Sequence, residues 1–499
     1  MIPADTICAV STPPGSGAIA VIRVSGPQAL PVVSVLFRPA VQGVSVVDCP
    51  GGSLFYGRLY EGDECLDEVV VTVFRAPRSY TGEDVAEISC HGSSFIQQTI
   101  LEALLRRGIR LANRGEYTQR AFLNGKMDLS QAEAVADLIA SHSAASRRVA
   151  LQQMRGGFSA EISEMRNRLV SFAALLELEL DFSEEDVEFA DRSRLLALLD
   201  ELDSAIARLL RSFRAGNVLK EGVPVVIAGK PNTGKSTLLN ALLNEEKAIV
   251  TELAGTTRDV IEDTLLIDDM LFRFVDTAGL RHSADPVEAI GIGRTYERLG
   301  TAAIVLYLID APKALASGAA ADTDSETAAA DVGVAVAAGA AVGAAADAVT
   351  AELEALFAQT PSLSNCDLFL LFNKADKADP AALCRLMELV RHPLVSDTMA
   401  LSASQRTHLD CLHTLLLAAA HRDLPSGEAT VVTNLRHFEA LSLASESLTR
   451  LRHGLTSHLS GEFLAQELRE TLHHLGAITG KVANGEILEA IFSRFCIGK

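Results

Sequence analysis

Hydrophobic residues recur with different spacings along the chain, and the first change of spacing separates two kinds of predicted structure. Residues 19–24 and 68–74 are rich in β-branched side chains and predict strands, and Gly and Pro interrupt the segments between them. We therefore predict a mixed α/β domain over residues 1–122. Apolar residues then recur every three or four positions in 162–176 and 195–209, which is typical of packed helices.

The middle of the chain alternates short apolar runs with helical patterns, which is typical of a parallel sheet with crossover helices. We predict this α/β domain over residues 221–422. The helical period returns in 423–499, so the simplest organisation is one helical domain, 123–220 and 423–499, that the α/β domain interrupts. The predicted strands of the α/β domain are 225–228, 271–275, 304–309, 368–372 and 399–401.

One low-complexity segment, residues 314–348, consists mainly of Ala and Gly. Ala favours helix, but Gly interrupts the segment and no large side chain is present to anchor packing. We therefore predict a surface insertion that is partly helical or disordered. The most apolar part, 332–346, is shorter than the ~20 residues needed to span a bilayer, so we predict no transmembrane helix.

Composition narrows the possible functions. The 499 residues suffice for several domains, and their formal net charge of −20 argues against a protein that coats nucleic acid by charge alone. The eight cysteines form no CxxC pair, which predicts neither a thiolate metal site nor a disulfide framework. The first residues lack the basic region of a signal peptide. We predict a cytoplasmic location.

A phosphate-binding motif follows the predicted strand 225–228. Residues 229–236 match the pattern GxxxxGK[ST], and a helical pattern follows them. Glycines let backbone N–H groups curl around phosphate oxygens, and the helix N-terminus adds positive potential. We predict that Lys235 contacts the β- and γ-phosphates and that Ser236 ligates Mg²⁺. The residues predicted to bind here are Asn232, Thr233, Gly234, Lys235, Ser236 and Thr237.

Three further motifs predict that the nucleotide is GTP. A DxxG motif places an aspartate near Mg²⁺ and a glycine N–H at the γ-phosphate. In an NKxD motif, Asp376 can accept hydrogen bonds from the ring N–H and exocyclic amine of guanine, a pair that adenine cannot supply. A loop after the last strand would support the base from the other side. The residues are Asp276, Thr277, Ala278 and Gly279 (DxxG), Asn373, Lys374 and Asp376 (NKxD), and Ser402 and Ala403 (last loop).

The residues alone leave parts of the catalytic machinery open. Thr257 is predicted to complete the Mg²⁺ shell, with Thr256 as the competitor. Leu280 occupies the position where Ras-like enzymes carry the glutamine that orients water. Glu288 could orient that water from a loop, although an exposed loop carboxylate is the simpler interpretation. No arginine finger can be assigned.

Motifs outside the nucleotide site resemble those of the MnmE (TrmE) family, the tRNA modification GTPases. The resemblance extends from Asp5 to Lys499, apart from the Ala-rich segment. It implies a multidomain α/β fold, in which an N-terminal α+β domain resembles tetrahydrofolate-binding domains and a central helical domain is interrupted by a Ras-like P-loop GTPase domain. The motifs are Thr12-Pro13-Pro14-Gly15, Ile22-Arg23-Val24-Ser25-Gly26, Tyr80-Thr81-Gly82-Glu83-Asp84, Arg120-Ala121-Phe122-Leu123-Asn124 with Lys126, Gln131-Ala132-Glu133-Ala134 and Phe495-Cys496-Ile497-Gly498-Lys499.

The resemblance implies a GTP hydrolase with a defined reaction and partners. The family modifies carbon 5 of the wobble uridine of certain tRNAs together with MnmG, a partner that uses FAD and NADH. The product carries an aminomethyl or carboxymethylaminomethyl group. The resemblance further implies a homodimer, a heterotetramer with the MnmG-like protein, and no membrane association.

The resemblance also implies ligand residues at matching motif positions. It places the family's water-orienting glutamate at Glu288. Lys235 of the phosphate-binding motif is the other predicted catalytic residue. It implies a K⁺ ion that offsets transition-state charge as an arginine finger does. The implied K⁺ ligands are Asn232, Thr251, Leu253 and Thr256, and the implied ligands of a one-carbon tetrahydrofolate are Arg23, Glu87, Lys126 and Lys499.

Some positions depart from the family pattern, and two other functions remain open. The departures are Ser16, Ser93 and His282, none of them at a predicted catalytic position.

Cys496 is either a thiol close to the folate and tRNA chemistry or part of a tail packed for structural reasons. One alternative is a regulatory GTPase, for instance in ribosome assembly, with the N-terminal domain as a docking module. The other is a folate-dependent transferase with a vestigial nucleotide site, which the intact motifs disfavour.

Overall fold

The computed structural model describes residues 5–43, 45–181, 191–244, 263–274, 302–321, 333–361, 363, 366–422, 430–457, 459–482, 485–493 and 495–498. Contacts divide the chain into two units. The first contains Met1–Ala140, Ala150–Leu210 and Leu435–Lys499, and the second contains Ser141–Val149 and Arg211–Asn434. No helix in the described part of the chain is both long enough and apolar enough to cross a membrane.

The first unit contains a seven-stranded sheet in the order β3-β4-β5-β6-β2-β1-β7, antiparallel except for the pair β1–β7. Its core is aliphatic and includes Ile22, Val71 and Ile88 from neighbouring strands. The predicted strands at 19–24 and 68–74 are confirmed. The elements are β1 (Ile7–Val10), β2 (Ile19–Ser25), α1 (Ala29–Leu36), β3 (Phe37–Pro39), β4 (Ser53–Glu61), β5 (Glu64–Phe74), β6 (Val85–His91), α2 (Ser94–Leu105) and β7 (Arg110–Leu111).

Helices follow this sheet, and both predicted helical stripes are confirmed. In the first stripe Ile162, Leu169 and Leu176 are fully buried, as the spacing of three and four predicts. The helices are α3 (Glu116–Leu123), α4 (Leu129–Ile139), α5 (Ala144–Met154), α6 (Gly157–Asp181) and α7 (Arg192–Glu221), and, after the second unit's sheet, α13 (Leu435–Thr456), α14 (Gly461–Thr479) and α15 (Gly485–Phe492).

Early and late helices are joined in the first unit by a buried ionic cluster. Helix α14 packs against both α6 and α13. Glu133 on α4 accepts hydrogen bonds from Arg436 at 2.9 and 2.7 Å and lies 2.7 Å from Nε2 of His437, both on α13. Arg436 also donates to the carbonyl of Ala477 on α14. Residues about 300 positions apart in the sequence therefore share one set of charges.

The second unit contains a six-stranded sheet in the order β13-β12-β11-β8-β10-β9, parallel except for the hairpin β9–β10. The five predicted strands are confirmed. Strand β9 was not predicted, and it pairs with β10 through a turn at Asp268 with φ of 50°. The elements are β8 (Val223–Gly229), α8 (Lys235–Leu243), β9 (Asp263–Ile267), β10 (Met270–Phe274), β11 (Ile304–Asp310), α9 (Ala311–Ala321), α10 (Gly333–Gln359), β12 (Asp367–Asn373), α11 (Pro380–Leu389), β13 (Val395–Ala400) and α12 (Leu409–Arg422).

The segment 314–348 is partly helical, as predicted, but the prediction that it is a surface insertion is wrong for its second half. The segment contributes to α9 and α10, and Val342, Ala345 and Ala346 are buried in the core that covers β11 and β12. Val349, Leu353 and Leu356 extend the same stripe. The spacing of these buried residues is typical of a helix. The sequence pattern indicates it only weakly, because small side chains give little contrast in hydrophobicity between buried and exposed positions. Small residues also let a helix approach the sheet closely.

Candidate functional site

The phosphate-binding loop lies between β8 and α8, and at two of its positions only glycine fits without a steric clash. Gly229 and Gly234 have φ of 139° and 99°, in the region that favours glycine. A Cβ atom at 229 would lie 2.4 Å from the carbonyl oxygen of Leu308, and one at 234 would lie 2.3 Å from Nδ2 of Asn373. Helix α8 begins directly after Gly234, so its first N–H groups are available to an anion.

Polar side chains of the phosphate-binding loop contact its own backbone. Nζ of Lys235 donates to the carbonyls of Gly229 and Lys230 at 3.0 and 2.9 Å. The hydroxyl of Thr233 donates to the carbonyl of Lys230 at 2.9 Å. Asn232 adopts a left-handed conformation with φ of 63°. The loop is therefore a tight turn that keeps the lysine amine beside the glycine backbone.

Asn373, at the end of β12, connects the phosphate-binding loop to the loop after β13. Its amide nitrogen donates to the carbonyl of Thr233 at 2.8 Å. Its amide oxygen accepts from the backbone N–H of Ala403 at 3.0 Å. Because Asn373 is only 2 % exposed, the amide is fixed by these two bonds. Three sequence motifs thus meet at one edge of the sheet.

Asp376 is oriented by a neighbour that the sequence places 26 residues away. The hydroxyl of buried Ser402 donates to Oδ1 of Asp376 at 2.6 Å. The carboxylate itself is exposed. This arrangement can present a carboxylate of fixed direction to the ring N–H and amine of a guanine.

Several predicted site residues lie outside the described residues, and their roles stay predictions. They comprise much of the Mg²⁺, K⁺ and water-activating set and one folate ligand. They are Thr251, Leu253, Thr256, Thr257, Asp276, Thr277, Ala278, Gly279, Leu280, Glu288 and Lys499.

In the first unit, Arg23 and Glu87 lie opposite one another on β2 and β6. Nε and Nη2 of Arg23 both lie 2.8 Å from Oε1 of Glu87, which leaves Oε2 without a protein partner in the described part of the chain. The guanidinium lies 5.4 Å from the ring centre of Tyr80 and 5.5 Å from that of Tyr117. This pair of aromatic rings favours the charged guanidinium.

Lys126 belongs to a loop that packs on the Thr81–Asp84 turn. Its amine donates to the carbonyl of Pro77 at 2.9 Å and is exposed. Asn124 donates to the carbonyl of Thr81 at 2.7 Å. A Cβ atom at Gly82 would lie 3.1 Å from Asn124, so glycine allows the two loops to meet.

The segment 495–498 docks on the N-terminal sheet. Ile497 pairs with Arg114 as an isolated bridge, and the hydroxyl of Ser11 donates to the carbonyl of Gly498 at 3.1 Å. Phe495 is buried, whereas Cys496 is exposed. The position next to Lys499 is therefore held beside the turn that leads from β1 to β2.

A buried arginine, not assigned a role from the sequence, supports this region. Arg120 is 1 % exposed and donates to Asp5, Glu83 and Glu116 at 2.8, 3.1 and 2.9 Å. Burial acts to raise the pKa of Glu116, but hydrogen bonds from Arg110, the Asn113 N–H and Arg120 outweigh it, so this pKa lies below its ordinary value. Two motifs that carry the family resemblance thus meet in one ion network.

The phosphate-binding loop and the guanine-recognition loop, at one edge of a mainly parallel sheet, define a P-loop GTPase domain. Residues 6–126 match the family described as GTP-binding protein TrmE N-terminus, and residues 129–496 match the MnmE helical domain. The chain belongs to the MnmE family of tRNA modification GTPases and is a GTP hydrolase that acts in tRNA modification.

Curated relatives match over nearly the full chain. The chain is 48 % identical over 498 residues to the tRNA modification GTPase MnmE of Bacteroides fragilis, strain YCH46, with 99 % of each chain covered. It is 44 % identical over 499 residues to the tRNA modification GTPase MnmE of Flavobacterium johnsoniae, with 100 % of each covered.

Two solved structures of GTP-binding proteins are similar to parts of the chain. A GTP-binding protein from Sulfolobus solfataricus in complex with GDP is 16 % identical, covers 55 % of this chain and 71 % of its own, and has a TM-score of 0.25. The G domain of the FeoB iron transporter of T. maritima is 19 % identical, covers 40 % and 99 %, and has a TM-score of 0.22.

Proposed function

We propose that this chain, with an MnmG-like flavoprotein, adds an aminomethyl or carboxymethylaminomethyl group to carbon 5 of the wobble uridine of certain tRNAs. A tetrahydrofolate supplies the one-carbon unit, and GTP hydrolysis depends on K⁺. The protein acts in the cytoplasm as a homodimer that forms a heterotetramer with its partner. The observation that carries the proposal is the Arg23–Glu87 pair, whose guanidinium lies close to two tyrosine rings, in a chain that also has complete GTPase motifs.

The folate assignment fits the chemistry of the described residues. A pterin has an amidine edge whose N–H groups can donate two hydrogen bonds to a carboxylate. Glu87 has one oxygen shared with Arg23 and one without a protein partner in the described residues. The glutamate tail of a folate carries carboxylates, for which Lys126 and Lys499 supply positive charge. Tyr80 and Tyr117 line the same arginine with flat apolar surfaces.

The nucleotide assignment follows the loops of the second unit. Backbone N–H groups of residues 232–237 bind the phosphates with Lys235, and Asp376 with Ser402 binds guanine. Ser236 and Thr257 hold Mg²⁺, which neutralises phosphate charge. Asn232, Thr251, Leu253 and Thr256 supply the oxygen ligands of K⁺, and Glu288 orients the attacking water. The proposal includes the domain boundaries predicted from the sequence, which fall after residues 122, 220 and 422.

The test of the folate assignment is calorimetry with 5-formyltetrahydrofolate. We expect Glu87→Gln to weaken binding by about 10- to 100-fold, because it removes a charge-assisted pair. The matched control is Glu68→Gln, a neighbouring strand carboxylate that pairs with exposed Arg58. If the unaltered protein does not bind, the N-terminal domain is a docking module and a regulatory GTPase becomes the better explanation.

The K⁺ assignment is tested by GTP turnover with Mg²⁺ in matched K⁺ and Na⁺ buffers. Strong stimulation by K⁺ alone is the expected result. Equal and slow rates in both buffers would remove the support for the K⁺ ligands and for Glu288, while leaving the guanine site intact.

A further inference from the structure

Asp310, at the end of β11, is a buried carboxylate to which the GTPase motifs assign no role. It is 7 % exposed. Its Oδ1 accepts from the backbone N–H of Lys313 at 3.2 Å and so caps α9. Its Oδ2 accepts from Nζ of Lys374 at 2.6 Å. One side chain thus joins the start of a helix to the guanine-recognition motif.

Lys374 is held from two sides. Its amine also donates to the carbonyl of Asn232 in the phosphate-binding loop at 2.8 Å. Its backbone has φ of 62°, the left-handed region that a non-glycine residue seldom adopts. The ammonium therefore connects three chain segments that are far apart in the sequence: the end of β11, the loop after β12 and the loop after β8.

We infer that Asp310 is a positioning residue for guanine nucleotide binding, and that it acts by fixing the Lys374 side chain. This inference rests on the proposed assignment of Lys374 to the nucleotide site. A lysine has a long flexible stem and loses rotamer freedom whenever it is held in one place. Because Asp310 holds the ammonium through a charge-assisted hydrogen bond, nucleotide binding does not have to order it.

The inference predicts a specific kinetic pattern. Asp310 touches no reacting atom by this account, so its loss should weaken GDP and GTP binding to the same extent. The rate at saturating GTP should change less than about twofold, while KM rises. A general loss of folding would instead lower the rate at saturating GTP and leave KM unchanged, because only the amount of active enzyme would fall.

The experiment is a double-mutant cycle on the full chain, with the equilibrium affinity for a fluorescent GDP analogue as the readout. Asp310→Asn keeps an oxygen to cap α9 but removes the charge that faces Lys374. We expect about 10-fold weaker binding, since the Lys374 ammonium loses its charged partner. Lys374→Met should weaken binding at least as much, and the double variant should resemble Lys374→Met alone.

A matched control lies at the opposite end of the adjacent strand. Asp367 begins β12 and accepts from Arg422 and Ser396 at 2.6 and 2.9 Å. Asp367→Asn should leave the affinity within about twofold. If Asp310→Asn fails to fold, Asp310→Ser replaces it, because serine is also a good cap but is too short to reach Lys374.

The outcomes separate the inference from the assignment on which it rests. If Lys374→Met weakens binding and Asp310→Asn does not, the inference is overturned and the site assignment stands. Additive losses in the double variant would also overturn it, because Asp310 would then act independently of Lys374. If neither variant weakens binding, the assignment of Lys374 to the site fails as well.

Discussion

The two units position their loops by different physical means. In the second unit, glycines allow close approach and the neutral Asn373 amide joins two loops through main-chain atoms, with the Asp310–Lys374 pair as an added charged contact. In the first unit, the guanidinium groups of buried Arg120 and partly exposed Arg436 hold carboxylates from distant segments. The glycines of the second unit belong to one contiguous sequence motif, whereas the residues of the ion networks share no local motif and meet only in the fold.

The largest expected effect comes from breaking the Arg120 network. Arg120→Met leaves Glu83 and Glu116 without their buried partner, which typically costs about 3–5 kcal/mol. We expect faster hydrogen exchange at the amides of β2 and β6 and no change in nucleotide affinity.

The exposed pair Arg58–Glu68 supplies the control for that variant. Arg58→Met should cost less than about 1 kcal/mol. A loss of nucleotide affinity in Arg120→Met would contradict the comparison, because the network would then serve both units.

The second effect is a dependence of stability on pH. Burial acts to raise the pKa of Glu133, but His437 and Arg436 outweigh it and lower that pKa to about 2. A lowered pKa contributes stability above the ordinary value of 4.5, and this contribution is lost as the pH falls towards 2. We expect Glu133→Gln to remove about 3 kcal/mol at neutral pH, measured by urea unfolding, and to flatten the acid limb.

An exposed pair in the same helical region tests whether burial is the cause. Glu177 pairs with Arg469, and both side chains are at least 44 % exposed. Glu177→Gln should leave the acid limb unchanged. An equal change in both variants would show that general surface charge, and not the buried cluster, sets the acid sensitivity.

The smallest expected effect is a loss of nucleotide-binding free energy when a glycine of the phosphate-binding loop is replaced. Gly234→Ala forces a Cβ against Asn373 and a non-glycine residue into φ of 99°, at a cost of about 2 kcal/mol. We expect about 30-fold weaker GDP binding, read by the fluorescent analogue. Gly343→Ala on α10, where an added Cβ would meet no atom of another described segment within 4 Å, should leave the affinity unchanged. Affinity within threefold of normal for Gly234→Ala would break the comparison.

The same contrast explains what the sequence could predict. The phosphate-binding loop is contiguous in the sequence, and its strand and helix flank it directly. The sequence therefore predicts both the motif and the structure around it. The partners of Arg120 stand at 5, 83 and 116, and no local pattern links them. Helix α10 was misjudged because Ala and Val mark its buried stripe only faintly. Strand β9 was missed although 263–267 and 270–274 pair across a short turn.

The docked tail has a consequence for biosynthesis. Gly115 has φ of 66°, and a Cβ there would lie 2.6 Å from the carbonyl oxygen of Phe492. Gly115 thus contacts residues that the ribosome adds only after the entire nucleotide-binding unit. The N-terminal domain is translated first, but its contact with Phe492 can form only after translation has passed that residue. Until then this part of the domain is incompletely packed. During that interval the apolar residues that pack against Phe492 and Phe495, among them Leu129 and Ala132, lack these partners.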